Sequence, residues 1–210
     1  MRLLEKCRFL IAAWRNDDAV LGRSATSVDQ LMQEMTGKRI AIVGNARALA
    51  QNEFGVQIDG CDLVIRINRA PMPNVASHGA RTDWLALATS LPQVQFKTLG
   101  AARLIWMSHK RKRLKYWMGQ TFGFSLFPKS EYDDLKAKLG AQPTTGAMLI
   151  AFAAQSNASE IHLFGFDFFS SLSLSGRRDA TNVPHDFTSE SDFVHGLIKS
   201  DPRIMLHPME

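Results

Sequence analysis

The chain has 210 residues, of which 45% are hydrophobic and 21% are charged, and its formal net charge is +5. This length and balance predict one globular domain with a sizeable core and exclude a disordered or fibrous protein. The two cysteines, Cys7 and Cys61, are too few and too far apart for a disulfide framework or a zinc site. They favour a reducing, cytoplasmic location.

The first 36 residues are predicted to form a helical segment that packs on a domain covering 37–210. The longest apolar run in this segment, Phe9 to Trp14, is far shorter than the roughly 20 residues that span a bilayer. An amphipathic helix packed on the domain is one interpretation, and contact with a membrane surface is the alternative. Ser27 is expected to cap a helix over 28–35, which Thr36 and Gly37 end.

Short apolar runs alternate with helical segments along the rest of the chain. The predicted strands lie at 40–43, 63–67, 84–88, 103–107, 161–164 and 203–206, and the predicted helices at 48–53, 132–139 and 146–155. This alternation indicates a single α/β, Rossmann-like domain with a mostly parallel sheet flanked by helices. Right-handed crossovers would bring the residues that follow the strands, Gly44, Asn68 and Gly165, to one edge.

Gly44 stands in a strand-to-helix turn of the kind that binds phosphate. A glycine allows close approach of a ligand to the backbone, and the amides of a following helix attract anions. The turn lacks the three glycines of a dinucleotide-binding fold, and the second strand ends in Asn68 rather than in an acidic residue. No Gly-Lys-Ser/Thr follows, which excludes a nucleoside-triphosphate loop. A tight structural turn is the alternative to a ligand site.

Three segments carry a resemblance to a known family. They are Lys38-Arg-Ile-Ala-Ile-Val-Gly-Asn45 with Gly55-Val-Gln-Ile-Asp59 and Asp62-Leu-Val-Ile-Arg-Ile-Asn-Arg-Ala-Pro71; Pro143-Thr-Thr-Gly-Ala-Met148 with Ile161-His-Leu-Phe-Gly-Phe166; and His185-Asp-Phe-Thr-Ser-Glu190. In this order they resemble the large, small and very small sialyl motifs of family 29 glycosyltransferases, the sialyltransferases. The resemblance implies a GT-A-like sialyltransferase fold and a donor sugar activated with cytidine monophosphate (CMP).

The resemblance also implies where the donor binds. Asn45 and Asn68 would hold the phosphate, ribose or base of the donor through their carboxamides, close to Gly44. Thr144, Thr145 and Gly146 would hold the phosphate with hydroxyls and amides at the start of a helix. A capping role alone is the other interpretation of the two threonines.

The proposed chemistry centres on His185. An imidazole titrates near neutral pH, so His185 is expected to accept the proton of the attacking acceptor hydroxyl. Glu190 is assigned to the catalytic group with two open roles: it orients the histidine or caps the following helix. A CMP leaving group has one phosphate, and no Asp-x-Asp occurs in the chain. The expectation is therefore an inverting reaction without a metal or other cofactor.

The sequence also departs from the family's pattern. The positions of the disulfide in animal members correspond to Ile40 and about Asn157, which suggests a bacterial type of the family. The histidine of the third motif is missing from 168–184, where Arg177 and Arg178 are candidates to neutralise the leaving phosphate. An inactive CMP-binding or nucleotide-sugar-binding module is therefore the alternative to an active enzyme.

The strongest run of positive charge extends from His109 to Trp117. No recognised nucleic-acid motif accompanies it, so nucleic acid is not an expected partner. A solvated helix face is one interpretation. Contact with an anionic glycolipid, with a polysaccharide or with a membrane surface, peripherally at the inner face of the membrane, is the other. The expected function is transfer of sialic acid, or of the related keto-sugar Kdo, from its CMP form to a hydroxyl of a glycan or glycolipid.

Overall fold

A computed structural model of the chain describes residues 2–23, 25–167 and 185–209. Within these residues, seven parallel strands form one sheet in the order β5-β4-β3-β2-β1-β6-β7. The strands are β1 (Arg39–Val43), β2 (Leu63–Ile67), β3 (Trp84–Leu87), β4 (Arg103–Trp106), β5 (Phe124–Leu126), β6 (Glu160–Phe164) and β7 (Ile204–Leu206). The chain therefore forms the parallel α/β domain that the sequence predicts.

Helices connect the strands and cover the sheet. They are α1 (Arg2–Arg15), α2 (Asp18–Leu21), α3 (Val28–Met35), α4 (Gly55–Asp59), α5 (Val75–His78), α6 (Gln93–Leu99), α7 (Tyr116–Gly119), α8 (Lys129–Leu139), α9 (Thr145–Ala154) and α10 (Phe187–Ser200), with short 3₁₀ helices at Arg47–Gln51 and Arg111–Arg113. Among the described residues, none of the helices combines the length and hydrophobicity that a membrane span requires.

The predicted strands are confirmed to within one residue at each end, and their buried side chains explain why. The exception is β5, a three-residue edge strand that the sequence analysis missed. The helix predicted over 48–53 is wrong in type, because the chain forms a 3₁₀ helix there. Ser27 caps α3 as predicted, and its side chain accepts a hydrogen bond from the amide of Gln30 (3.2 Å).

The N-terminal helices lie on opposite faces of the sheet. Leu31 and Met35 of α3 join a core with alternate residues of the central strands, such as Ile40. Phe9 of α1 joins a second core on the other face with residues that include Leu85. These helices therefore help to bury both faces of the sheet, which is where the sequence predicted a packed helical segment.

Arg66, in the middle of β2, is only 1% exposed. Its guanidinium donates to the carbonyl oxygens of His78 (2.6 Å) and Arg81 (2.8 Å) and to Oγ1 of Thr82 (3.1 Å). Desolvation lowers the pKa of Arg66 to about 10 and that of the neighbouring, buried His78 to about 4. The arginine of the first motif therefore fixes the loop that leads into β3.

The basic run does not form one solvated helix face, so that interpretation is wrong. It is divided between the 3₁₀ helix Arg111–Arg113 and α7. Arg111 is 1% exposed, and its guanidinium makes two 2.8 Å hydrogen bonds to the carboxylate of Asp18. The reason is that α1 and α2 pack against this segment and bury its first arginine, while Lys112, Arg113 and Lys115 stay exposed.

Candidate functional site

The strand order reverses at the pair β1 and β6, and two glycines follow these strands. Gly44 comes directly after β1, and Gly165 comes directly after β6 with a φ of 70°. A Cβ atom on Gly44 would lie only 2.2 Å from the carbonyl oxygen of Gly165. The two backbones therefore approach as closely as glycine allows, at the point where open α/β sheets bind their ligands.

Two amides of the turn at Gly44 are used within the protein and are not available to a phosphate. The Gly44 amide donates to the carbonyl oxygen of Phe164 (2.8 Å), and the Ala46 amide donates to that of Gly165 (3.2 Å). The helix that follows is a five-residue 3₁₀ helix without a side-chain cap. Gly44 therefore contributes its small size to the site, because it lets the ends of β1 and β6 close against each other.

Asn45 and Asn68 connect the ends of the central strands. Asn45 is buried, and its Nδ2 donates to the carbonyl oxygen of Ile67 (3.2 Å). Asn68 has a φ of 53°; its Oδ1 accepts from the Ala88 amide (3.0 Å), and its Nδ2 donates to Oγ1 of Thr145 (3.3 Å). A carboxamide has two N–H donors and two lone pairs, so each retains hydrogen-bonding capacity for a ligand.

Helix α9 starts at this same edge. Thr144 is its N-cap, and the Thr144 hydroxyl accepts from the amide of Ala147 (3.1 Å). A Cβ on Gly146 would lie 2.7 Å from the ring of Phe166, so this glycine lets the segment after β6 pack against the helix. The structure therefore brings Thr144, Thr145 and Gly146 together with Asn68 at a helix start, as predicted.

Glu190 joins α10 to the start of α9. Its Oε1 accepts from the amide of Thr144 (2.6 Å), and its Oε2 accepts from the Thr144 hydroxyl (2.7 Å). The side chain is 5% exposed, and burial raises the pKa of this carboxyl to about 7 against the lowering effect of the two Thr144 bonds. The cap of α10 is Asp186, which accepts from the amides of Thr188 and Ser189, so the capping role expected for Glu190 is wrong.

His185 precedes the cap of α10 and is partly buried. Its Nδ1 lies 2.6 Å from the carbonyl oxygen of Gln142. A carbonyl oxygen only accepts, so Nδ1 carries the hydrogen and, in the neutral ring, Nε2 carries the lone pair. His185 and Glu190 are therefore both anchored to the segment 142–144 that begins α9.

The segment 168–184 lies outside the described residues. Arg177 and Arg178, the candidates for neutralising a leaving phosphate, fall within it. The carbonyl of Gln142 and the cap Asp186 are parts of the site that the sequence analysis missed. The sequence analysis also missed the packing of the Phe166 ring against Gly146. The position of Phe166, directly after the predicted Gly165 turn, was a usable signal.

Comparisons with known proteins agree with this architecture. The model of "Glycosyltransferase family 29 (sialyltransferase)" matches residues 18–120. One similar curated protein is the CMP-N-acetylneuraminate-β-galactosamide-α-2,3-sialyltransferase 1 of chicken, which is 28% identical over 61% of this chain and 44% of its own length. Another is the type 2 lactosamine α-2,3-sialyltransferase of mouse, which is 27% identical over 77% of this chain and 63% of its own length. The family model thus matches just under half of the chain, and the chain is similar to the sialyltransferases of glycosyltransferase family 29.

Solved sialyltransferase structures share the fold. A mammalian sialyltransferase aligns over 98% of this chain and 85% of its own, with a TM-score of 0.69 and 19% identity. The sialyltransferase CstII from Campylobacter jejuni, in complex with the substrate analogue CMP-3FNeuAc, aligns over 80% of this chain and 81% of its own, with a TM-score of 0.54 and 15% identity. At this level of identity the likeness shows the fold alone.

The source organisms of the relatives bear on the expectation of a bacterial type. The matching curated proteins come from chicken, mouse and pig, so they do not support the expectation of a specifically bacterial type. The chain spans less than half the length of the chicken protein and less than two thirds of the mouse protein.

Proposed function

We propose that this protein is a glycosyltransferase that transfers sialic acid from its CMP-activated form to a hydroxyl of a glycan. The observation that carries the proposal is the arrangement of His185 and Glu190, which are both hydrogen-bonded to the segment 142–144 that begins α9. The matched chicken protein is named for CMP-N-acetylneuraminate, and solved neighbours hold CMP together with a trisaccharide acceptor. The similarity to family 29 and the site geometry thus favour the same reaction.

The donor would bind with its phosphate at the start of α9. The amides of Thr145 and Gly146 and the Thr145 hydroxyl would donate to the phosphate oxygens there. The amide and the hydroxyl of Thr144 already donate within the protein, so Thr144 would contribute by fixing the start of the helix. The helix dipole favours the negative charge. Asn45 and Asn68 would donate to the ribose or base with the N–H groups that the protein bonds do not use.

The transfer step follows from the tautomer of His185. Nε2 accepts the proton of the acceptor hydroxyl while that oxygen forms a bond to the anomeric carbon. The bond from the anomeric carbon to the phosphate oxygen breaks, and CMP leaves with the electron pair. Attack from the side opposite the leaving group inverts the anomeric centre. The Gln142 carbonyl, which accepts from Nδ1, would hold the ring in orientation and favour the imidazolium that forms.

Glu190 is proposed to act through Thr144 rather than through the histidine. Its carboxylate fixes both the amide and the hydroxyl of Thr144 at the expected phosphate position. With its pKa raised to about 7, Glu190 would change protonation near neutral pH and so change the charge beside the phosphate. Glu190 is therefore a positioning residue for the donor in this proposal.

The finer parts of the sequence prediction remain proposals. The reaction is proposed to be inverting and independent of metal, because a single phosphate needs less charge neutralisation than a diphosphate. Kdo is the alternative donor sugar, and a glycolipid is the alternative acceptor. The cytoplasmic location and the peripheral contact with the inner face of a membrane are likewise proposed.

One experiment tests the function. The protein is incubated with CMP-sialic acid or CMP-Kdo in the presence of a chelator, and CMP release is measured with and without glycan acceptors. We expect acceptor-dependent CMP release from one donor, which His185→Ala abolishes while CMP binding persists. CMP binding without turnover of either donor would instead identify an inactive module, for which the missing third-motif histidine is the supporting observation. No affinity for CMP would refute both.

A further inference from the structure

Helix α1 presents large apolar side chains to solvent. Five of them are exposed to between 47% and 77%, namely Leu3, Leu4, Leu10, Ile11 and Trp14. The helix buries fewer apolar side chains against the sheet than it exposes to solvent, namely Phe9, Ala12 and Ala13. Scattered exposed apolar residues are normal, but five on one helix form a patch of the kind that marks an interaction site.

The exposed residues form one stripe along the helix. At about 100° per residue, Leu3, Leu4, Leu10, Ile11 and Trp14 all fall within about 120° of the circumference. Exposed Cys7 lies within the same stripe. Phe9, Ala12 and Ala13 point to the opposite side, towards the sheet. The helix therefore has two apolar faces. One packs against the sheet, and the other is exposed to solvent.

Positive charges flank the stripe on both sides. Lys6 falls on one side of it, and Arg8 and Arg15 fall on the other, all of them exposed. Glu5 is the only acidic residue in the helix. The 3₁₀ helix Arg111–Arg113 packs against α1 and adds exposed Lys112 and Arg113 beside it.

We propose that α1 binds an anionic lipid bilayer, lying in the plane of the interface with this stripe inserted among the acyl chains. At 14 residues α1 is about 21 Å long, too short to cross a hydrocarbon core of about 30 Å. An apolar stripe with Leu, Ile and Trp between basic flanks is the pattern of helices that lie in the interface. The basic residues meet the phosphate-bearing headgroups while Trp14 enters the interfacial layer.

The same flanks disfavour a second copy of the chain as the occupant. The spacing of Leu3, Cys7, Leu10 and Trp14 would suit a helix pair. Such pairs place complementary charges beside the seam, whereas this stripe is bordered by Lys6, Arg8 and Arg15. Two copies would bring like charges together. An anionic surface instead neutralises them, and this charge complementarity is what selects the bilayer.

This inference goes beyond the proposed transferase activity, which it does not require. It replaces a contact made by the basic run alone with one centred on α1, because the first arginine of that run is buried against Asp18.

Vesicle binding tests the proposal with the full 210-residue chain. Co-sedimentation is measured with vesicles of phosphatidylcholine alone and of phosphatidylcholine mixed with phosphatidylglycerol. We expect binding to the anionic vesicles, weakened about ten-fold or more in Leu10→Ser/Trp14→Ser, because two large apolar side chains are lost from the contact. Val94→Ser/Phe122→Ser is the matched control; these residues are 71% and 93% exposed elsewhere and should leave binding unchanged.

Two further measurements make the result specific. Lys6→Glu/Arg8→Glu should weaken binding to the anionic vesicles about ten-fold or more and leave the thermal unfolding temperature within about 2 °C of wild type. Tryptophan emission should shift to the blue on binding, and Trp14→Phe should remove that shift. Trp84 and Trp106 are already buried, and Trp117 is partly buried against the second core. The proposal would be overturned if the protein did not bind vesicles, or if Leu10→Ser/Trp14→Ser and Lys6→Glu/Arg8→Glu both bound them as wild type does. It would also be overturned if the protein formed a dimer without lipid that Leu10→Ser/Trp14→Ser dissociated.

Discussion

Two clusters of glutamate and histidine lie at different places on the same sheet. The edge cluster, His185 and Glu190, lies at the start of α9 beside the carboxyl ends of the strands. The face cluster, Glu160, His162 and His207, lies along β6 and after the end of β7, where it borders a cavity of about 250 Å³. Composition alone does not separate them, since both combine a carboxylate with imidazole. Their position relative to the start of α9 does.

Hydrogen bonding separates the clusters further. In the face cluster both ring nitrogens of His162 are bonded within the cluster, Nε2 to Glu160 (2.9 Å) and Nδ1 to His207 (3.0 Å). In the edge cluster His185 is oriented by a backbone carbonyl, and Glu190 holds a helix N-terminus. A cluster bonded to itself stabilises a surface, whereas one bonded to a helix start can act on a ligand that binds there. The comparison therefore supports the proposal that the edge cluster carries the chemistry.

The largest expected effect separates the two histidine sites directly. His185→Ala should reduce transfer about 10²- to 10⁴-fold, the range that a general base contributes. His162→Ala should leave the rate within about two-fold, because His162 lies on the opposite face of the sheet from α9. Initial rates of CMP release with saturating donor measure both. Equal losses in the two variants would contradict the comparison.

Gly44→Ala tests the close approach of β1 and β6 at the edge. The new Cβ would lie 2.2 Å from a backbone oxygen that cannot move freely, so we expect the free energy of unfolding to fall by about 3 kcal/mol or more. Gly196→Ala is the control: a Cβ there meets nothing within 4 Å, and the helical site should gain about 0.5–1 kcal/mol. Urea unfolding measures both changes. A neutral Gly44→Ala would mean that the strand ends are not closed.

Glu190 gives the edge cluster a pH dependence. Its pKa is raised from 4.5 to about 7, so between these values the folded protein keeps a proton that the unfolded chain releases. Stability from this group therefore falls as pH rises through that window, by about 3 kcal/mol at most. Glu190→Gln should remove this contribution. The difference in unfolding free energy between wild type and variant, measured from pH 4.5 to 8, should change in that direction; parallel curves would refute the assignment.

Thr144→Val should produce the smallest of these effects. It removes the hydroxyl that caps α9 and donates to Glu190, while the amide bond to Glu190 remains. Loss of a cap and of one hydrogen bond predicts a fall in unfolding free energy of about 1–3 kcal/mol. Thr98→Val, at an exposed hydroxyl on α6, is the control and should change stability by less than about 0.5 kcal/mol. Equal effects would show that Thr144 has no special role.

The sequence predicted the sheet, and most of the edge at which a ligand is proposed to bind, for clear physical reasons. Apolar runs that end in glycine mark parallel strands, and right-handed crossovers bring the ends of these strands together. That reasoning placed Gly44, Asn68 and Gly165 on one edge, and the structure confirms their placement. It missed β5, because three edge residues give too short a pattern to recognise.

Side-chain partners across long sequence separations could not be predicted. Glu190 and Thr144 are 46 residues apart, and Arg111 and Asp18 are 93 apart. No local periodicity reports such pairs, since they depend on how helices pack after the chain has folded. For this reason one of the two roles considered for Glu190, capping of the following helix, was wrong, and one interpretation of the basic run placed the buried Arg111 on a solvated face.

The most direct test of the central claim is amide hydrogen exchange with and without CMP. Binding at the edge of the sheet predicts slower exchange around residues 44–46, 68 and 144–147, where the backbone would become ordered or covered. Exchange at 160–162 and 204–207, beside the face cluster, should not change. Protection confined to the face cluster, or no protection at the start of α9 at saturating CMP, would contradict the account.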